Sequence, residues 1–303
     1  MSFEIDYPAL HYPADADSLA GQQRFVRATR LRLSALFAAA VGGAWSLEAG
    51  SLDLFGLLGL LSFVIALGTS AYLQTTDPAR RWYDGRTASE FIKTLTWRYV
   101  AGGNPFPASP TDEAADRAFR SQLAARLDLE KLPAPRPGAP TKQITDRMRE
   151  LRAGSFAQRR QAYRDGRIED QRVWHARKAE VNEQRKNTFT GIAITLEFAG
   201  VVGAAFKAFG LLDIDLLGVF SAAAAGLAAW MQARSYGDNQ RAYARTAHQL
   251  GLIADELDTV AEVDWPRFVD QAENALSSEH IQWRAAKGLG APRPRGSTSA
   301  AES

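Results

Sequence analysis

LFGLLGLLSFVIALGTSAYL, Leu54 to Leu73, contains no charged residue. As a helix it rises roughly 30 Å, the thickness of a bilayer's hydrocarbon core. Eleven of its residues are Leu, Ile, Val or Phe. At about −0.3 to −0.6 kcal/mol each, they favour insertion by roughly 3 to 6 kcal/mol, and no polar side chain of comparable cost opposes them. The stretch is apolar on every side, whereas a core helix of a soluble bundle usually keeps a polar stripe. That second reading, core helices of a soluble α-bundle, stays open for the shorter apolar runs.

Upstream lies Leu33 to Leu47, LSALFAAAVGGAWSL. It is long enough to span only if Leu31 joins it and Arg32 snorkels to the headgroups. Only Glu48 to Asp53 separate it from the strong run, so residues 31–47 and 54–73 are predicted to form an antiparallel membrane hairpin with an acidic tip. Downstream, FTGIAITLEFAGVVGAAF, Phe189 to Phe206, carries Glu197 near its midpoint. A charge there costs about 2.5 to 3.5 kcal/mol, close to what its eight Ile, Leu, Val and Phe residues supply. Residues 213–231, with the Ala/Gly-rich LLGVFSAAAAGLAAWM from Leu216 to Met231, complete a second hairpin whose small residues permit close helix approach.

The flanks orient both hairpins. Arg24, Arg27, Arg30 and Arg32 precede the first, and Arg80, Arg81 and Arg86 follow it; Arg185 and Lys186 precede the second, and Arg234 and Arg241 follow. The positive-inside rule then puts both tips outside and both termini, with the central region, in the cytoplasm. The opening residues MSFEIDYPALHYPADADSLAG are acidic and proline-punctuated, unlike a cleavable signal, so insertion is expected to use the internal runs.

The chain has 303 residues, 36 Lys or Arg against 34 Asp or Glu, and no cysteine. A net charge of +2 argues against direct nucleic-acid binding, which needs a clustered basic surface. Without cysteine there are no disulfides, thiolate nucleophiles or Cys-bound zinc. His11, His175, His248 and His280 lack metal-ligand spacing, no Gly-rich phosphate loop appears, and the carboxylates sit among arginines on helices. The expectation is a protein that is not an enzyme and carries no cofactor or metal.

Each half repeats one order: a basic helix, an apolar hairpin, then a basic helix opening with aromatic and glycine residues, RRWYDGR at Arg80–Arg86 and RSYGDNQR at Arg234–Arg241. The predicted units are residues 1–132 and 141–287, joined by a Pro-rich linker at 133–140 and followed by a disordered tail at 288–303. Trp82, Arg86, Glu90, Lys93 and Trp97 share one helical face, and Tyr163, Arg167, Asp170, Gln171, Trp174, Lys178 and Val181 form a comparable stripe. Both read either as docking faces for a partner or as ion-paired, aromatic faces packing within the chain. Tyr236, Gln240, Tyr243, Ala247, Leu250, Ala254 and Leu257 alternate by four and three like a coiled-coil seam. Val269, Ala272, Leu276, His280 and Trp283 stand ready to pack on that seam. The fold expected is an all-α membrane protein: two transmembrane hairpins, four membrane helices in all, with long cytoplasmic helices forming a bundle.

These segments carry a resemblance. RRWYDGRTASEFIKTLTWRYVAGGNPF, Arg80 to Phe106, resembles the segment after the membrane hairpin in one branch of the SLATT domains, the SMODS and SLOG-associating two-transmembrane effector domains of bacteria. YRDGRIEDQRVWHARKAEVNEQR, Tyr163 to Arg185, resembles the segment before the hairpin in a second branch, and ENALSSEHIQW, Glu273 to Trp283, its closing helix. The resemblance implies an inner-membrane effector of nucleotide-linked conflict or antiphage systems, which perforates or depolarises the membrane when triggered. Its implied partners are the lipid bilayer, further copies of itself and a separately encoded nucleotide-signal sensor or synthase. Glu197 is the candidate pore or gating residue; its alternatives are a neutral acid, pairing across the hairpin, or a shifted membrane segment. The competing function is a non-conducting membrane scaffold that binds another protein through its cytoplasmic helices.

Overall fold

The computed structural model describes residues 5–108, 112–129, 132–134, 137–212 and 214–286, with side chains described as far as Ser277. Ten α-helices hold most of the described residues: α1 His11–Ala44, α2 Leu54–Thr76, α3 Pro78–Ala101, α4 Glu113–Arg126, α5 Asp146–Ala153, α6 Phe156–Tyr163, α7 Asp170–Ala208, α8 Leu216–Arg234, α9 Tyr236–Leu257 and α10 Trp265–Ala286. A π-helical turn, Arg164–Glu169, joins α6 to α7. The expected linker is non-helical wherever it is described, and the expected tail from residue 288 lies outside the described residues.

The tip between α1 and α2 adds a feature that hydropathy does not show. Glu48–Ala49 (β1) and Leu52–Asp53 (β2) pair antiparallel, with Glu48 opposite Asp53. Asp53 then caps α2, accepting from Phe55 N at 3.0 Å and from Leu47 N at 3.2 Å. Hydrogen bonds from the backbone of Gly56 and Leu47 hold its carboxyl below the usual range. Asp215 caps α8 in the same way, accepting from Gly218 N. α7 closes on Gly210 in the left-handed region, with Leu211 N donating to Phe206 O, the bond that ends a helix sharply.

The duplication is visible in one joint. α2 passes to α3 through Asp77 (φ 37°), and α8 passes to α9 through Ser235 (φ 50°). In each half a single left-handed residue breaks an otherwise continuous helical path. At Asp77 the following Pro78 supplies the preset first residue of the next helix.

Two compact units result, each drawing on both halves of the sequence. One comprises residues 22–79 and 177–243, which take in α2, α8 and long portions of α1 and α7. Its packing is inverted relative to a soluble core. Along α2 the buried residues are Ser62, Ala66 and Thr69, while Leu67 is 66% exposed, and Leu60, Phe63 and Val64 face outward too. In the apolar run of α7, residues 189–206, the buried positions are Gly200 and Gly203, whereas Phe198 is 68% exposed. The α1–α2 contact is set by glycine: a Cβ on Gly42 would lie 2.7 Å from Gly59 N and 2.7 Å from Phe55 O. Small residues between helices and large apolar ones outside are how helices pack in lipid, where burying leucine gains nothing.

Three helical stretches, within Leu54–Ala101, Phe156–Ala208 and Leu216–Leu257, are long and apolar enough to cross a membrane by length and composition. The run at 31–47 is not among them. α1 ends at Ala44, so its uncharged part from Leu33 rises only roughly 18 Å.

The other unit comprises residues 1–21, 80–176 and 244–303. Its core is of the water-excluded kind: Ile92, Leu95, Trp97, Tyr99, Phe106, Phe119, Tyr163, Leu250, Leu257, Trp265 and Val269 are buried together. Leu250, Ala254 and Leu257 of the α9 seam share that core with Val269, Ala272 and Leu276 of α10. His280 and Trp283, expected on the same face, have side chains outside the described residues.

Candidate functional site

Three clusters carry chemistry. The first centres on Glu197 of α7, which is exposed in the apolar unit, with Ile194 (61% exposed), Phe198 and Val201 (65%) around it. Among the described residues, a carboxylate there meets no protein interior of its own chain. In hydrocarbon such a group requires a partner or water.

The second lies in the core of the polar unit. The π-helical turn after Tyr163 widens the spiral, so Tyr163, Arg167 and Ile168 all fall on the buried side. Arg167 donates from Nε to Glu273 Oε1 at 2.9 Å and from Nη2 to Oε2 at 2.8 Å, a two-pronged pair. Tyr163 OH donates to the same Oε1 at 3.1 Å. Burial opposes the Arg167 charge, and the Glu273 carboxylate more than offsets it, holding the guanidinium above its ordinary range. Burial, then Glu273, pushes the Tyr163 phenol far up, so it remains a donor. Trp97 packs edge-on against Tyr163 (6.0 Å) and donates from Nε1 to Tyr7 OH at 3.3 Å.

Next to this cluster the AGGNPF loop, residues 101–106, is clamped from two sides. Arg152 donates to Tyr99 O (2.6 Å), Phe106 O (2.9 Å) and Pro107 O (3.0 Å), while its Nε meets Asp112 at 2.8 Å. Trp265 Nε1 donates to Ala101 O at 2.8 Å, and Asn104 N to Pro266 O. A Cβ on Gly103 would sit 2.5 Å from Val269 Cγ1, so only glycine lets the loop reach α10. Gly85 of RRWYDGR likewise lies against α1, its missing Cβ 2.7 Å from Ser18 N. The glycine of RSYGDNQR, Gly237, has only ordinary contact with Lys186, so the two motifs are not equivalent.

The third cluster is a cavity of about 400 Å³ in the apolar unit. Arg30, Arg185, Arg234, Phe189, Trp230 and Tyr236 line it. Arg30 lies over the Trp230 ring at 5.1 Å, Arg234 lies 5.9 Å from both Trp230 and Tyr236, and Phe189 stacks on Tyr236 at 5.6 Å.

Of the residues expected from sequence, the structure brings Trp97, Tyr163 and Arg167 into one buried cluster. Trp82 is half-buried and stacked on Tyr83, Arg86 is half-buried, and Lys93 meets Glu90 at 3.4 Å. Gln171 is half-buried beside Asp170, and Trp174 is exposed with its ring edge-on to His175. Sequence reading missed Arg152, Trp265 and the partnership of Glu273 with Arg167, because their contacts join distant positions. It treated Arg30, Arg185 and Arg234 only as orienting charges; the aromatic residues Phe189, Trp230 and Tyr236 beside them were the available signal.

The fold and these clusters define a class: an all-α protein whose duplicated architecture pairs bilayer-suited apolar helices with an aromatic, ion-paired helical core. The family comparison agrees. Residues 8–160 match SMODS and SLOG-associating 2TM effector domain 3, and residues 163–283 match SMODS and SLOG-associating 2TM effector domain 1. The chain belongs to this family of effector domains, as a tandem of two of its members. Neither a curated protein nor a solved structure matches it significantly. The two matches meet between residues 160 and 163, and both contribute to the one buried core of the polar unit: Trp97 and Phe119 from the first, Tyr163, Leu257 and Trp265 from the second.

Proposed function

We propose that this chain is an inner-membrane effector of a bacterial conflict or antiphage system, which oligomerises and depolarises the membrane when a separately encoded nucleotide-signal sensor or synthase triggers it. The family match supports the effector role. The single observation that carries the membrane mechanism is Glu197: an acid on the outward face of an apolar helix, amid Ile194, Phe198 and Val201. Its desolvation costs about 2.5 to 3.5 kcal/mol unless a neighbouring subunit or a water-filled path receives it.

In this reading both hairpins span, four helices in all. α1 crosses by letting Arg32 reach the cytoplasmic headgroups. Both termini and the aromatic, ion-paired unit are cytoplasmic, because the arginine flanks demand it. Glu197 lines or gates a cation-favouring path between subunits, and no catalytic step is involved. Side chains left at the surface of the polar unit, such as Trp174 and Val173, are where a sensor would dock.

Ion flux from liposomes holding the purified, activated chain tests the reading. Glu197→Leu is expected to abolish the preference for cations over anions and to reduce flux at least tenfold, with oligomer size unchanged. Unaltered flux and selectivity in that variant would remove Glu197 from the path. The scaffold alternative draws on the exposed Val173 and Trp174, and it predicts no flux under any trigger together with stable capture of one partner.

A further inference from the structure

The cavity lined by Arg30, Arg185 and Arg234 serves no step of the effector reading, yet its chemistry is specific. Arg30, Arg185 and Arg234 line one space, Arg30 and Arg185 at its exposed side and Arg234 half-buried. Arg234 has its Nε shielded from water and, among the described residues, without a hydrogen-bond acceptor. Like charges gathered in this way repel one another, and an anion placed among them relieves the repulsion and satisfies the open donor. Guanidinium forks suit the paired oxygens of a phosphate group.

The rings decide which phosphate. Phe189 opens the apolar run of α7, Trp230 closes that of α8, and Arg30 stands just before that of α1. The cavity therefore lies where apolar helix gives way to basic flank on three helices at once. Tryptophan and tyrosine at such a level mark the headgroup zone of a bilayer, and basic pockets between membrane helices on the cytoplasmic side take anionic headgroups. We propose that this cavity is a binding site for the phosphodiester headgroup of an anionic phospholipid, held by Arg30, Arg185 and Arg234 and walled by Trp230, Phe189 and Tyr236. A free phosphate shares the chemistry of the guanidiniums, but the place of the rings, where the apolar runs end and the basic flanks begin, favours the lipid headgroup. The assignment rests on the reading of α7 and α8 as membrane helices.

Native mass spectrometry of the full chain, released from nanodiscs of phosphatidylcholine with and without phosphatidylglycerol, tests it. Carbonate extraction of the membranes first establishes integration, so a failure of the membrane reading is seen separately. The wild type is expected to retain phosphatidylglycerol in preference to phosphatidylcholine. Its apparent affinity should fall about fivefold for each arginine removed in Arg30→Gln and Arg234→Gln. Arg185 is exposed and is not part of the ring contacts that Arg30, Arg234 and Phe189 make at the cavity, so Arg185→Gln should show the same loss even if the other two variants fold poorly, and Arg245→Gln, outside the cavity, should show none. Equal retention of both lipids by an integrated wild type, or unchanged retention in Arg185→Gln, overturns the proposal. Displacement of phosphatidylglycerol by inorganic pyrophosphate at equal concentration overturns the lipid source and assigns the cavity to a soluble phosphate.

Discussion

Glu273 is fully buried (0% exposed) and holds two donors, Arg167 and Tyr163, across more than a hundred positions of sequence. Removing one partner of such a pair leaves an uncompensated charge and costs roughly 3 to 5 kcal/mol, whereas replacing both with apolar groups of similar volume costs far less. Glu273→Leu and Arg167→Met should each lower the thermal midpoint of helix loss in detergent, and the double variant should recover most of the loss. Additive losses in the double variant would mean that the pair is not the coupled unit described.

His11 gives the same core a pH dependence. Its ring stacks on Tyr7 at 4.6 Å, Nε2 meets Ser89 Oγ at 3.1 Å, and Nδ1 is buried without a partner among the described residues. Burial, then the charge of Lys93, lowers its pKa to about 4, against opposing pulls from Asp15 and Glu90. The unfolded chain takes up this proton near pH 6.5 and the folded chain only near 4, so the stabilisation is complete above about 6.5 and is lost as pH falls through about 4. His11→Gln should therefore flatten the fall in melting temperature between those values relative to wild type. Parallel curves for the two proteins would show that His11 is not the group responsible.

Among the elements, the α1–α2 contact offers the sharpest comparison, because two adjacent glycines behave oppositely. At Gly42 an added methyl meets backbone atoms at 2.7 Å, while at Gly43 nothing lies within 4 Å. Gly42→Ala should part the helices and impair hairpin formation, scored by crosslinking between α1 and α2. Gly43→Ala should be neutral or favour the helix by roughly 0.5 to 1 kcal/mol. Equal behaviour of the two variants would deny the close approach.

This contact also shows where sequence reading stopped. The apolar run at Leu54–Leu73 is legible because hydrophobicity over one helix length is a local property, and α2 follows it closely. The stripes from Trp82 to Trp97 and from Tyr163 to Trp174 are legible as faces, but periodicity alone does not say what a face meets. Trp97 and Tyr163 turn out to meet each other, and Arg167 meets Glu273 on a third helix. The β1–β2 tip, the π-helical turn and the role of Gly42 depend on backbone geometry and neighbours that no window of sequence contains.

At the scale of the whole molecule, duplication in the chain does not produce two separate bodies. Each compact unit takes segments from both family domains: the apolar one gathers residues 22–79 with 177–243, and the polar one gathers residues 80–176 with 244–303 and the first 21. Both family domains therefore contribute to the aromatic core of the polar unit and to the apolar unit.

The most direct test of the effector account is the membrane potential of bacteria expressing the chain with its genomic neighbours, followed by a voltage-sensitive dye during phage challenge. The account predicts depolarisation that requires both the chain and the trigger, and that is lost in Glu197→Leu. A potential that stays unchanged, with the protein integrated in the membrane and the trigger present, would contradict it.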